Sequence, residues 1–197
     1  VPGRREVLVD VAAAGVNFAD LMARMGVYRD APRIPCVIGY EVSGIVRSCG
    51  PDVEDLAPGD RVFALTRFGG YSSVVSVPAD QVFIMPETMS FQEAAALPVN
   101  YFTAYLALFV MGSLRSGQRC LIHSAGGGVG IAAVQLAHGA GAEIYGTAST
   151  GKHEFLSSIG ADHLIDYRLE DFAEAVDRLT GGAGVHLILD PVGGSSV

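Results

Sequence analysis

Along the first 90 residues, apolar and polar positions alternate in short runs broken by Gly and Pro. Glu6-Val7-Leu8-Val9-Asp10-Val11-Ala12 has the two-residue period of a half-buried strand, and Ala13 to Gly15 end it. Residues 17–24 read as a short helix closed by Gly26, followed by a loop with Pro32 and Pro35. Residues 37–46, 59–64, 70–77 and 82–85 are further predicted strands, and Pro51 to Pro58 is an acidic turn region. Strands this short and close together predict a compact β barrel or sandwich.

The pattern then changes. Ser90-x-x-Glu93 is a capping box, in which each side chain satisfies a free N–H at a helix start. It opens a helix over 91–97, and Pro98 permits a second over 100–111. Strands at 119–123, 143–146, 163–165 and 185–190 then alternate with helices at 129–138, 152–159 and 170–179. That alternation predicts α/β architecture with a doubly wound parallel sheet. The expected domains are 1–97, β-rich, and 98–197, a Rossmann-type nucleotide-binding domain. Four strands stand where that fold has six, and the chain opens on Val1-Pro2-Gly3. We therefore expect a fragment, with an N-terminal hairpin and the C-terminal part of the Rossmann domain missing.

Residues 94–114 carry no charge, a length that can span a bilayer. Pro98 and Asn100 interrupt the stretch and Gly112-Ser113 end it, so a buried helix pair at a domain junction is expected, with no membrane span. The formal net charge of −8, without a Lys/Arg cluster, argues against nucleic acid as a partner. Cys36, Cys49 and Cys120 are too few and too scattered for a disulfide framework, and read as reduced thiols of a cytoplasmic protein. They also supply no cluster for a metal site, so none is expected.

The candidate chemistry lies in the run from Cys120 to Leu136. A strand enters a glycine turn that opens a helix, in the register Ala125-x-Gly127-x-x-Gly130. A small residue at 125 allows the tight turn, Gly127 lets a pyrophosphate approach the backbone, and Gly130 lets the helix lie close on the sheet. The helix start then faces the anion. NAD-selective folds end the second strand in a carboxylate for the ribose 2′-OH. Here that strand runs into Gly146-Thr147-Ala148-Ser149-Thr150-Gly151-Lys152, with a donor at Ser149 and a cation at Lys152 instead. This points to NADP(H). The plainer reading is that Ser149 caps the next helix and Lys152 is a solvated charge.

The chain resembles the zinc-free quinone oxidoreductase branch of the medium-chain dehydrogenases/reductases. The resemblance rests on Gly15 to Asp20, Gly39-x-Glu41-x-x-Gly44, Pro58 to Val62, Glu93 to Ala96, Ser124 to Gly130 and Asp190 to Gly194. Asn100 to Tyr105 and Gly146 to Ser149 look most like the vesicle amine transport protein homologues of that branch. The resemblance implies a GroES-like substrate domain, a Rossmann domain and an active site in the cleft between them. It implies hydride transfer from NADPH to a quinone or activated enone, and a homodimer when full length. The motifs hold Asn17 and Asp20 but no Cys, and Tyr40 where zinc-dependent relatives have His, so zinc chemistry is not expected.

By the same resemblance, Asn17 and Thr103 lie near the nicotinamide, and Tyr28 lies beside the substrate cavity. Gly127, Gly128 and Val129 take the pyrophosphate, and Ser149, Lys152 and Tyr167 surround the 2′-phosphate. Asn17 and Tyr28 are the expected catalytic residues, with Tyr28 a donor to the oxygen that gains charge. Glu41 props the cleft, and Cys120, His123 and Gln135 read as structural. Tyr167 has a rival role covering a sheet edge, Tyr28 one as an exposed loop aromatic, and Asp20 one as a helix-surface carboxylate. Two other functions compete: the enoyl-reductase domain of a polyketide synthase, and a non-catalytic vesicle-associated protein that keeps a nucleotide pocket.

Overall fold

A computed structural model describes residues 1–193, so Gly194 of the expected Asp190–Gly194 run lies outside the described residues. The chain divides into two compact units, Val1–Val99 and Asn100–Val197.

The first unit is built on one five-stranded sheet. Its strands are β1 (Glu6–Ala14), β2 (Glu41–Cys49), β3 (Arg61–Leu65), β4 (Val74–Pro78) and β5 (Val82–Ile84). The order is β4-β1-β2-β3-β5, with every neighbouring pair antiparallel. Alternation decides which face is buried. Val7 and Val9 of β1, Val42 and Val46 of β2, and Val62 and Ala64 of β3 share one core with Val77 and Val82. Helix α1 (Phe18–Arg24) starts after Asn17, and Gly26 turns away with φ of 74°. Helix α2 (Phe91–Ala95) packs on β1, β2 and β3 and begins with the expected capping box.

Two predicted strands start late, for one reason. Residues 37–40 give their carbonyls to the loop 66–71: Thr66 N donates to Tyr40, Gly69 N to Val37, Gly70 N to Gly39 and Tyr71 N to Ile38. Both segments are consumed by this loop-to-loop ladder, so β2 begins only at Glu41 and β4 only at Val74.

The second unit opens with α3 (Pro98–Tyr105), which runs into a π-helical turn at Leu106–Met111. The uncharged stretch is thus cut into short helices. Among the described residues no helix is long and apolar enough to cross a membrane. Then follow β6 (Arg119–Ile122), α4 (Gly128–Gly139), β7 (Glu143–Thr147), α5 (His153–Ser158), β8 (His163–Ile165), α6 (Phe172–Thr180) and β9 (Leu187–Leu189). The sheet order is β8-β7-β6-β9, all parallel. Successive strand residues point to opposite faces. Cys120, Ile122 and Ile144 join Leu108, Ala133 and Leu156 on one side, while Leu121 and Tyr145 join Ala175 and Val176 on the other. The sheet is therefore wound on both faces, as the alternating pattern predicts.

Candidate functional site

In an open parallel sheet the crevice lies outside the carboxyl ends of the strands, where strand order reverses. Here the order reverses between β6 and β9. A cavity of about 480 Å³ opens at these strand ends. The turn after β6 contributes His123, Ser124 and Gly126, and the turn after β7 contributes Thr147 to Ser149 and Lys152. Tyr167, Phe172 and Val192 complete the wall.

The glycine turn is held by backbone bonds to β7. Ala125 N donates to Thr147 O at 3.0 Å, and Ser124 N to Thr147 Oγ1 at 3.2 Å. Gly127 N closes the turn on Ser124 O at 2.8 Å. The residue in the left-handed region is Ser124, with φ of 50°, a conformation uncommon outside glycine. Ala125 must be small for a different reason from the one expected. It is fully buried, and it faces Gly146 of β7 so closely that a Cβ there would stand 3.0 Å from its own. A Cβ on Gly130 would lie 2.7 Å from Ala125 Cα, so its absence lets α4 start close against the turn after β6. A Cβ on Gly127 would crowd Ser124 O at 3.2 Å.

Helix α4 starts at Gly128, and its first bond runs from Ile131 N to Gly127 O at 2.8 Å. The N–H groups of Gly128, Val129 and Gly130 therefore have no partner within the helix, and they carry its positive end. This is a cradle for an anion.

The turn after β7 meets that cradle. Thr150–Lys152 form a single 3₁₀ turn with Ser149 at its start, and the Ser149 side chain makes no capping bond. The capping role offered as the plainer reading of Ser149 is thus not what it does. Lys152 is not a freely solvated charge either: its Nζ donates to Gly126 O at 2.7 Å. Tyr167 follows β8 and is 57% exposed, with the Arg168 guanidinium 5.6 Å from its ring centre. Ser149, Lys152 and Tyr167 are thereby brought to one cavity.

His123 lines this cavity as well as filling structure. Its Nδ1 lies 3.2 Å from Thr147 Oγ1, and the Phe172 ring meets it edge-on at 4.7 Å. Burial lowers its pKa, with Asp190 opposing. Of the other side chains read as structural, Gln135 accepts from the Tyr101 hydroxyl, and burial pushes the Cys120 thiol up to about 12. Thr103 is exposed on α3 and does not line the cavity.

The expected residues of the first unit form their own cluster. Asn17 Nδ2 donates to Glu41 Oε1 at 2.7 Å, and Val99 N donates to Glu41 Oε2 at 2.8 Å. Glu41 is 1% exposed, and burial raises its pKa against those two bonds. Asp20 is buried rather than a surface carboxylate: it accepts from Asn17 N at 2.8 Å and Gly39 N at 3.1 Å. A Cβ on Gly15 would overlap Glu41 Oε1 and stand 2.5 Å from Ala95 O. The runs Gly15-x-Asn17 and Gly39-x-Glu41 are therefore two halves of one arrangement. Tyr28 is half-buried, its ring 6.0 Å from that of Tyr40 and nearly perpendicular to it. Burial, then the Tyr28 hydroxyl, push the Tyr40 pKa up. Among the described residues no three His, Cys, Asp or Glu side chains are placed to hold a metal ion.

Sequence reading passed over Thr147, Thr150, Asp166 and Phe172. For Thr147, Thr150 and Asp166 the signal is position, since each follows the carboxyl end of a predicted strand within four residues, whereas Phe172 opens α6.

Two family profiles match the chain: the alcohol dehydrogenase GroES-like domain over residues 3–87, and the zinc-binding dehydrogenase domain over residues 128–197. The synaptic vesicle membrane protein VAT-1 homolog of Danio rerio is 49% identical over 191 residues, which are 96% of this chain and 39% of that protein. The crystal structure of CurK enoyl reductase superposes with a TM-score of 0.94 at 38% identity, covering all of this chain and 61% of that one. The Escherichia coli quinone oxidoreductase complexed with NADPH gives a TM-score of 0.91 at 36% identity, covering 99% of this chain and 60% of that one. The chain spans about half the length of its mammalian curated relatives. A GroES-like unit followed by a doubly wound nucleotide unit defines the class, and the chain belongs to the medium-chain dehydrogenases/reductases, in their quinone oxidoreductase-like branch.

Proposed function

We propose that the protein is a zinc-independent oxidoreductase that uses NADP(H) to reduce a quinone or an activated enone. The observation that carries the cofactor reading is the convergence of Ser149, Lys152 and Tyr167 on one cavity beside the α4 start, with no carboxylate ending β7. The residues fit the cofactor: Gly127 brings no side chain to the turn, Gly130 lets α4 start close against Ala125, and the helix start offers N–H groups to the pyrophosphate. When bound, the nicotinamide supplies the hydride.

The chain's own residues bind and orient. Gly127, Gly128 and Val129 take the pyrophosphate. Ser149, Lys152 and Tyr167 take the 2′-phosphate, Lys152 by charge and the two hydroxyls by hydrogen bonds. Asn17 and Thr103 serve the nicotinamide end. Tyr28 donates its hydroxyl proton's hydrogen bond to the substrate oxygen as that oxygen gains charge. The partner is a small molecule, the compartment cytoplasmic, and the full-length protein a homodimer.

Replacing Lys152 with Glu should weaken NADPH binding by about tenfold or more, the loss of a charge-assisted bond, and leave NADH nearly unchanged. Equal losses would contradict the 2′-phosphate role. Tyr28→Phe should lower kcat for quinone reduction on the order of tenfold or more while cofactor affinity holds. An unchanged kcat removes that role. The likeness to CurK enoyl reductase favours one second reading, an enoyl-reductase domain of a larger synthase. It predicts turnover of thioester enones and none of quinones.

A further inference from the structure

Asp166 is the residue after β8, immediately before Tyr167, and it is 8% exposed. Its Oδ2 accepts from Thr150 N at 2.7 Å and also from the Thr150 hydroxyl. Its Oδ1 accepts from Arg168 N at 2.9 Å. Its backbone carbonyl accepts from Leu169 N at 2.9 Å and Glu170 N at 3.2 Å. The Thr150 hydroxyl, then the two backbone N–H groups, hold the carboxyl at a pKa of about 2.

Thr150 is the first residue of the turn that ends in Lys152. Lys152 N donates to Ser149 O at 2.9 Å, and its Nζ crosses to Gly126 O at 2.7 Å. Three successive strand ends are thus laced together. Asp166 ties the end of β8 to the turn after β7, and Lys152 ties that turn to the glycine turn after β6. The arrangement uses up a carboxylate that stands close to a site proposed for a phosphate.

We propose that Asp166 is a positioning residue for cofactor selectivity: it holds the Thr150 turn and the Tyr167 turn so that Ser149, Lys152 and Tyr167 meet a 2′-phosphate together. This rests on the NADP(H) reading above. Two expectations then oppose each other. A bare negative charge beside the site would repel the 2′-phosphate, and removing it would tighten NADPH. A positioning carboxylate does the reverse, and its removal weakens NADPH while sparing NADH.

The test is a titration of the purified protein with NADPH and with NADH, on the parent, Asp166→Ala, Asp166→Asn and Thr150→Val, with melting temperatures alongside. Asp166→Ala should lose about tenfold or more in NADPH affinity and less than about twofold for NADH. In Asp166→Asn the amide oxygen still accepts from Thr150, while its NH₂ cannot accept from Arg168 N. That variant should keep most of the selectivity. Thr150→Val, which loses only the hydroxyl, should fall between. Asp166→Ala binding NADPH as tightly as the parent, or losing both cofactors equally, overturns the proposal. If Asp166→Ala does not fold, an unchanged selectivity in Thr150→Val overturns it instead. A parent protein without preference for NADPH overturns the NADP(H) reading, and this inference falls with its premise.

Discussion

Single residues carry the strictest constraints in this chain. Gly15 has no room for a methyl group, because Glu41 and the Ala95 carbonyl occupy the space. Gly15→Ala should destabilise the protein by about 2 kcal/mol, measured by urea unfolding, since Glu41 cannot retreat without unmaking its bonds to Asn17 and Val99, and the Ala95 carbonyl is backbone. A change below about 0.5 kcal/mol would mean the site is softer than it looks. The motif holding Gly15 was visible in the sequence, but its reason was not. Glu41 is 26 positions away, and only the pairing of β1 with β2 brings the two together. Ala125 teaches the same lesson. Its smallness was legible, yet its cause lies in Gly146 on the next strand rather than in its own turn. Residue identity reports that space is tight, and the neighbour that makes it tight is a tertiary fact.

At the scale of elements, two helix starts are set by side-chain caps. The Ser90 capping box starts α2, and Asp171 starts α6 by accepting from Ala173 N at 2.8 Å and Glu174 N at 3.1 Å. Asp171→Ala should cost about 1 kcal/mol of stability by urea unfolding, the usual value of a lost cap. In the first unit β2 and β4 start later than the periodicity predicts because residues 37–40 and 66–71 bond to each other outside the sheet. Periodicity cannot distinguish that loop pairing from a strand. The tie between β8 and the turn after β7 also has a pH signature. The folded pKa of Asp166, about 2, lies below the unfolded value of roughly 3.9. Its contribution is therefore complete above about pH 4 and is lost as pH falls toward 2. Asp166→Asn should be destabilised relative to the parent at pH 6, and the gap should close towards pH 2. A gap independent of pH would show that the charge of this carboxylate is not what the two turns hold.

For the whole molecule, the division into a β-rich unit and a doubly wound unit was legible because the hydrophobic period itself changes near residue 90. The strand order β8-β7-β6-β9 follows from the general handedness of such sheets. That order puts the ends of three consecutive strands side by side, and the candidate cofactor site is what results. Ser149, Lys152 and Tyr167 were legible as candidates, but the lacing of Asp166 to Thr150 and of Lys152 to Gly126 was not, because each bond joins turns from different strands. This lacing should build a site for a 2′-phosphate. The most direct test is an equilibrium titration of the protein with NADPH and NADH under identical conditions, followed by nicotinamide fluorescence. NADPH binding at least about tenfold tighter than NADH is the predicted result, the worth of one charge-assisted bond. Equal affinity for the two, or tighter NADH, would contradict it.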